Sequence, residues 1–168
     1  DIVLEIIPEL MKLDVGLVVL GEGRAEYEAQ LMAIMEDYPG RVVGIIGYTE
    51  EMSHLIQAGT DIFLMPSRYE PCGLAQMIAM KYGTLPFARA AGGLKDTITS
   101  HSPTTTGNGF LFTDATSSSF AEALQQTLKI YGNKQVWATM QNNAMLADFS
   151  WKQSALQYTE LYLDLMGD

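Results

Sequence analysis

The sequence predicts an α/β fold: a doubly wound, mostly parallel sheet flanked by helices. Two observations predict it. Short apolar runs alternate with amphipathic stretches along the whole chain. The runs lack the polar alternation of a half-exposed strand, so they read as strands buried on both faces, as in a parallel sheet covered by helices. Right-handed crossovers then follow from the alternation of strand and helix.

Each element can be justified in order. Residues 1–13 place Ile2, Ile6, Leu10 and Leu13 at helical spacing. Residues 15–20 are continuously apolar and end at Gly21-Glu22-Gly23, a buried strand running into a turn. Residues 24–38 read as a helix stopped by Pro39-Gly40. A second buried strand covers 42–46, and 49–58 form a short helix with Thr49 as its cap. Residues 61–65 make a third strand, broken by Pro66, and 73–82 a helix ended by Gly83. Residues 84–88 give a fourth strand, followed by Gly92-Gly93, and 100–108 form a polar loop. A short strand at 109–112 precedes consecutive helices over 117–166, interrupted near Gly132-Asn133 and Phe149-Ser150.

Composition bounds the function. At 168 residues and 48% hydrophobic, the chain can bury one sizeable core, and a single domain over 1–168 is expected, with 133–168 as closing helices. A formal net charge of −10 argues against a nucleic-acid partner, which needs clustered Lys and Arg. It does not exclude a phosphorylated ligand, since backbone amides at a helix start hold phosphates locally. The single cysteine, Cys72, allows no disulfide within the chain and suits a reducing compartment. No apolar run approaches the roughly 20 residues that span a bilayer, so no membrane role is expected. The chain opens Asp1-Ile2-Val3-Leu4 inside a helical pattern without an initiator Met, which predicts a piece of a longer polypeptide.

Ligands of such sheets bind beyond the carboxyl ends of the strands. That directs attention to Gly21–Gly23, Gly47-Tyr48, Pro66–Gly73, Arg89–Gly93 and the loop up to Gly109. The segment Pro66-Ser67-Arg68-Tyr69-Glu70-Pro71-Cys72-Gly73-Leu74-Ala75-Gln76 follows a buried strand and opens a helix. Amides of Gly73, Leu74 and Ala75 would point outward there and hold a phosphate oxygen, with the Glu70 carboxylate placed for sugar hydroxyls. The bland alternative is that Glu70 only complements the helix dipole. Tyr48 reads either as a ring for stacking on a purine, typically worth about 1–3 kcal/mol, or as an apolar staple at a helix entry. Gly21-Glu22-Gly23 lacks the spacing of a dinucleotide fingerprint and reads as a tight turn. Gly92-Gly93 brings backbone close to a ligand or simply makes a turn.

The ordered set Glu70-Pro71-Cys72-Gly73-Leu74, Lys81-Tyr82-Gly83-Thr84 and Gly92-Gly93-Leu94-Lys95-Asp96-Thr97 resembles the bacterial glycogen synthase and plant starch synthase family. The likeness runs from the first helix to Trp151 and Tyr158 and corresponds to the C-terminal, Rossmann-like half of a GT-B glycosyltransferase. The resemblance implies transfer of glucose from ADP-glucose to the non-reducing end of an α-1,4-glucan, with retention, no cofactor and no metal. It implies that Glu70, the catalytic candidate, binds the donor glucose hydroxyls. Cys72 and Gly73 would supply backbone groups beside that sugar, and Leu74 and Ala75 amides for the distal phosphate. Gly47 and Tyr48 would hold the adenine, with Gly21 near the nucleotide, and Gly92 and Gly93 are further candidates. Family members often carry a hydroxyl residue where Ala75 stands, so that side-chain contact is absent.

Many retaining relatives place a second glutamate where Ile78 stands, and its absence favours the glycogen synthase branch over UDP- or GDP-sugar enzymes. A non-catalytic nucleotide-binding module is the remaining alternative. The resemblance also implies that an Arg and a Lys at the diphosphate, a catalytic His and the glucan-binding groups lie outside this chain, in an upstream segment and an absent N-terminal acceptor domain. The isolated chain is therefore expected to fold without catalysing. The wording Lys81-Tyr82-Gly83-Thr84-Leu85-Pro86 resembles bacterial members more than plant ones, which implies cytoplasm, or plastid for a plant source. His54 and His101 lack metal-ligand spacing and read as structural, Cys72 lacks a partner for nucleophilic work, and Trp137, Trp151, Tyr158 and Tyr162 read as packing residues, with a latch onto the absent domain as a further role.

Overall fold

The computed structural model describes residues 1–167. Helices and strands alternate as α1 (Ile2–Leu10), β1 (Leu17–Gly21), α2 (Ala25–Asp37), β2 (Val42–Ile46), α3 (Glu50–Gly59), β3 (Ile62–Met65), α4 (Ala75–Lys81), β4 (Leu85–Arg89), α5 (Leu94–Thr97) and β5 (Phe110–Phe112). Three helices close the chain: α6 (Ser117–Tyr131), α7 (Lys134–Leu146) and α8 (Trp151–Met166). Every strand pairing is parallel, as the unalternating apolar runs require.

The strands form two sheets rather than one. β1 pairs with β2, from Leu17 opposite Val42 to Gly21 opposite Ile46. β4 lies between β3 and β5, with Phe87 opposite both Leu64 and Phe110. No ladder joins β1 to β3 among the described residues.

Helix α1 ties the two sheets together. Ile2, Ile6, Ile7 and Leu10 are buried along it, and it packs against both α2 and α6. Leu13 falls outside it, because the helix closes at Met11 with amide bonds back to Ile7 and Glu9. The Arg41 guanidinium, at the start of β2, donates to the carbonyls of Met11, Leu13 and Val15 and holds the descent from α1 into β1. At the other end of α1, Asp1 accepts from Arg68, just beyond β3, at 2.5 Å. The far end of the helix that leads into β1 thus reaches the carboxyl end of β3.

The core is richest around β4. Phe87, Phe112 and Phe120 meet with ring centroids 5.0–5.4 Å apart, and Phe110 stacks on Trp137 at 5.9 Å. Each such ring contributes roughly 1.5–3 kcal/mol by burial and the pairs about 0.5–1.5 kcal/mol more. Helices α6 and α7 start where short polar side chains cap them: Thr116 accepts from Ser119 and Asn133 from Val136. Lys81 donates to the carbonyls of Met145 and Ala147 at 2.9 and 2.6 Å, satisfying the end of α7.

The strands of the first sheet are not buried on both faces: Val18 and Val43 are each 40% exposed, because the sheet has only two strands and its helices cover it incompletely. Of the four aromatic residues expected to pack, Trp137 does, but Trp151, Tyr158 and Tyr162 on α8 stand exposed, Trp151 at 88%. No residue of α8 is buried, so its apolar face is left largely uncovered within the described chain.

Candidate functional site

The residues singled out in sequence fall into two groups at the carboxyl ends of the two sheets. At the first sheet, the Gly47 amide donates to the Gly21 carbonyl at 3.0 Å, closing the two turns against each other. Gly47 adopts φ +119, and the chain turns into α3, whose first amides Thr49 caps by accepting from Met52. Tyr48, at that turn, is 65% exposed. That exposure leaves much of its ring facing solvent.

At the second sheet, the loop after β3 carries Glu70, Cys72 and Gly73 across to the turn after β4. Gly93 donates its amide to the Glu70 carbonyl at 3.1 Å. The approach is so close that a Cβ at Gly92 would lie 1.9 Å from the Glu70 oxygen, and one at Gly93 2.6 Å from the Cys72 oxygen. Gly92 also adopts φ +47. The pair is needed here for proximity as well as for turning. Glu70 is half-buried and Cys72 exposed. Among the described residues the Glu70 carboxylate forms no salt bridge, so its oxygens are not committed to a cation of this chain.

Helix α4 begins two residues later than expected. Gly73 takes φ +76, which no helix accommodates, and Leu74 caps the helix from its own backbone. The first helical bond runs from the Ile78 amide to the Leu74 carbonyl at 3.1 Å. Amides at the opening turn, Ala75 among them, therefore lack intrahelical acceptors. Leu74 itself is an exposed apolar side chain on the surface of the loop.

Several residues that build this loop lie in segments the sequence highlights, but the sequence assigns them no role of their own. Arg89, at the end of β4, donates through Nε to the Ser67 carbonyl at 2.8 Å and through Nη2 to that of Arg68. Arg68 in turn is spent on Asp1. Arg89 thus braces the loop backbone, while Arg68 is paired with a side-chain carboxylate. Gln76 and Thr97 lie beneath the loop and bond to it. Isolated Arg, Gln and Thr side chains that bond to main-chain carbonyls follow no spacing rule, and only coordinates identify them.

The remaining polar candidates sit in structural contacts. His54 lies 3.0 Å from the Tyr82 hydroxyl through Nδ1, and His101 3.0 Å from the Thr106 carbonyl. Two open cavities, of about 510 and 400 Å³, lie between α1 and α2 and beside α6, and none of the candidate residues lines them.

Comparison with known proteins places this geometry. Residues 1–144 match the family described as Glycosyl transferases group 1. A glycogen synthase of Desulfitobacterium hafniense is 50% identical over 167 residues, covering 98% of this chain and 36% of its own length. One from Nitrosomonas eutropha is 45% identical over 170 residues, covering 99% of this chain and 34% of its own length. The chain thus spans about a third of the length of the curated relatives it matches. Among solved structures, the catalytic domain of starch synthase IV from Arabidopsis thaliana, bound to ADP and acarbose, superposes with a TM-score of 0.84 at 35% identity. That match covers 96% of this chain and 34% of the other.

Proposed function

The chain belongs to the group 1 glycosyl transferases, and on that premise we propose that it is the donor-binding, C-terminal half of a glycogen or starch synthase. The whole enzyme transfers glucose from ADP-glucose to the non-reducing end of an α-1,4-glucan with retention, without a metal or other cofactor. Glu70 receives hydroxyls of the donor glucose, and the backbone of Cys72 and Gly73 lies alongside the same sugar. Amides of Leu74 and Ala75 meet the distal phosphate, where negative charge grows as the glycosidic bond breaks. Tyr48 stacks on adenine beside Gly47 and Gly21, while Gly92 and Gly93 press the sugar loop into place.

One observation carries this reading: the Gly93 amide holds the Glu70 carbonyl at 3.1 Å, which fuses the acidic loop and the diglycine turn into one surface at the ends of β3 and β4. The ADP held by the plant structural neighbour supports a nucleoside diphosphate as ligand. The match covers 36% of the length of the Desulfitobacterium hafniense relative, which supports a half-site whose glucan-binding partner half belongs to a further domain. No helix among the described residues is long and apolar enough to cross a membrane, and bacterial relatives support a cytoplasmic setting.

Titration of ADP-glucose and ADP into the wild type and Glu70→Ala tests the assignment. Loss of ADP-glucose affinity about tenfold beyond any loss for ADP is expected, in line with a charge-assisted hydrogen bond of about 1.5–3 kcal/mol. Equal losses for both ligands would remove Glu70 from the sugar. A radiolabelled-glucose assay on this chain alone is expected to show no glucan extension; incorporation above blank would overturn the half-site reading.

A further inference from the structure

Beneath the loop that carries Glu70 runs a closed circuit of polar contacts. Gln76 is fully buried, at 0% exposure. Its Nε2 donates to the Gly73 carbonyl at 2.7 Å, and lies 3.3 Å from the Cys72 carbonyl and 3.1 Å from the Thr97 hydroxyl. Thr97 Oγ1 donates to the Gly93 carbonyl at 3.1 Å. The Gly93 amide returns to the Glu70 carbonyl at 3.1 Å. Helix α4, the acidic loop, the diglycine turn and α5 are thereby linked in one ring.

Packing alone does not account for an amide in this place. Gln76 Oε1 is buried and finds no partner, a cost that an apolar side chain of similar volume would not incur. The amide nitrogen is the compensating part, since an oxygen at its position would face two carbonyl oxygens. The opposite atom leaves no slack: a Cβ on Gly73 would come within 2.5 Å of Oε1. The side chain is wedged under residues 72–73 with its donors aimed at their carbonyls.

We propose that Gln76 and Thr97 are positioning residues that fix the backbone of residues 70–73 against the Gly92-Gly93 turn and so set how strongly the site prefers a nucleotide sugar over the bare nucleotide. Neither side chain touches the ligand; both act through the carbonyls they hold. This rests on the donor-site reading above, in which that loop faces the sugar. A loop held at both ends by hydrogen bonds pre-organises its groups, and loosening it weakens only the part of the ligand it touches.

Nitrogen-15 NMR titrations of the chain with ADP-glucose and with ADP, at millimolar ligand, test it. In Gln76→Met and in Thr97→Val the ratio of ADP-glucose to ADP affinity is expected to fall about fivefold, the scale of one neutral hydrogen bond. Thr97→Ser, which keeps the hydroxyl, restores the ratio. Affinity for ADP itself changes less than twofold. Should Gln76→Met fail to fold, the Thr97→Val and Thr97→Ser pair decides the matter. An unchanged ratio in folded variants, or an equal loss for both ligands, overturns the positioning role and leaves the donor-site reading intact. A wild type that binds neither ligand overturns both.

Discussion

The two sheets of this molecule were written in the same sequence language and ended in different environments. In the three-stranded sheet, β4 is paired on both edges and covered on both faces, so that Leu85, Phe87 and Ala88 are fully buried. In the two-stranded sheet, only Val42 is fully enclosed, and Val18, Val43 and Ile46 reach solvent. The covering helices differ in the same way: α2 buries only Leu31, whereas α6 buries Phe120, Leu124 and Thr127. A run of apolar residues states that a strand wants burial; neighbours decide how much it receives. The acidic loop is anchored on the well-buried sheet and the exposed Tyr48 stands on the sparse one, so the proposed sugar side is rigid and the proposed base side is not.

The contrast can be tested from its strongest consequence downward. Phe87→Ala removes the ring at the centre of the three-aromatic cluster and is expected to cost about 3–5 kcal/mol in urea unfolding; a loss below about 1 kcal/mol would mean that the second sheet is not the stable half. Gly92→Ala must place a side chain where the Glu70 carbonyl already sits, at a backbone angle that L residues avoid. About 2–3 kcal/mol of destabilisation is expected, read from the melting curve. Its counterpart in the sparse sheet, Gly21→Ala, meets nothing within 4 Å and should stay within about 0.5 kcal/mol. Val18→Ala, half in water already, should cost about 1 kcal/mol or less. Hydrogen exchange offers the same comparison without mutation, with β4 amides expected to exchange more slowly than those of β1.

The smallest effect concerns pH. The Asp148 carboxylate accepts from the Ser150 amide at 2.9 Å at the entrance to α8, and that bond holds its pKa below the ordinary carboxylate value. A depressed folded pKa gives stability that is present above the unfolded value and is lost as pH falls through the folded one. Acid titration of helicity should therefore show α8 fraying at the low-pH end, and Asp148→Ala should remove that dependence.

Much of this arrangement was legible in the residues. The strand at 42–46, the Thr49 cap and the breaks at Gly132-Asn133 and Phe149-Ser150 appear where periodicity and capping chemistry put them. The proximity of the acidic loop and the diglycine turn was legible only as an ordered set of motifs. Helix α5 was not, because four residues are too few to show a period. The Gln76–Thr97 circuit was hidden for another reason: its acceptors are carbonyls, which every residue possesses. Nor does a sequence reveal that β1 and β3 remain unjoined, since pairing partners are a property of the whole sheet.

Among the described residues, Leu17–Gly21 and Ile62–Met65 each bond to a neighbour on one flank only, leaving a second row of amides and carbonyls with no ladder. Unladdered rows are adhesive toward any extended backbone, another molecule of the same kind included. Concentrated solutions of the chain should accordingly self-associate through these flanks, visible as scattering that grows with protein concentration and recedes when Val18 is replaced by Lys.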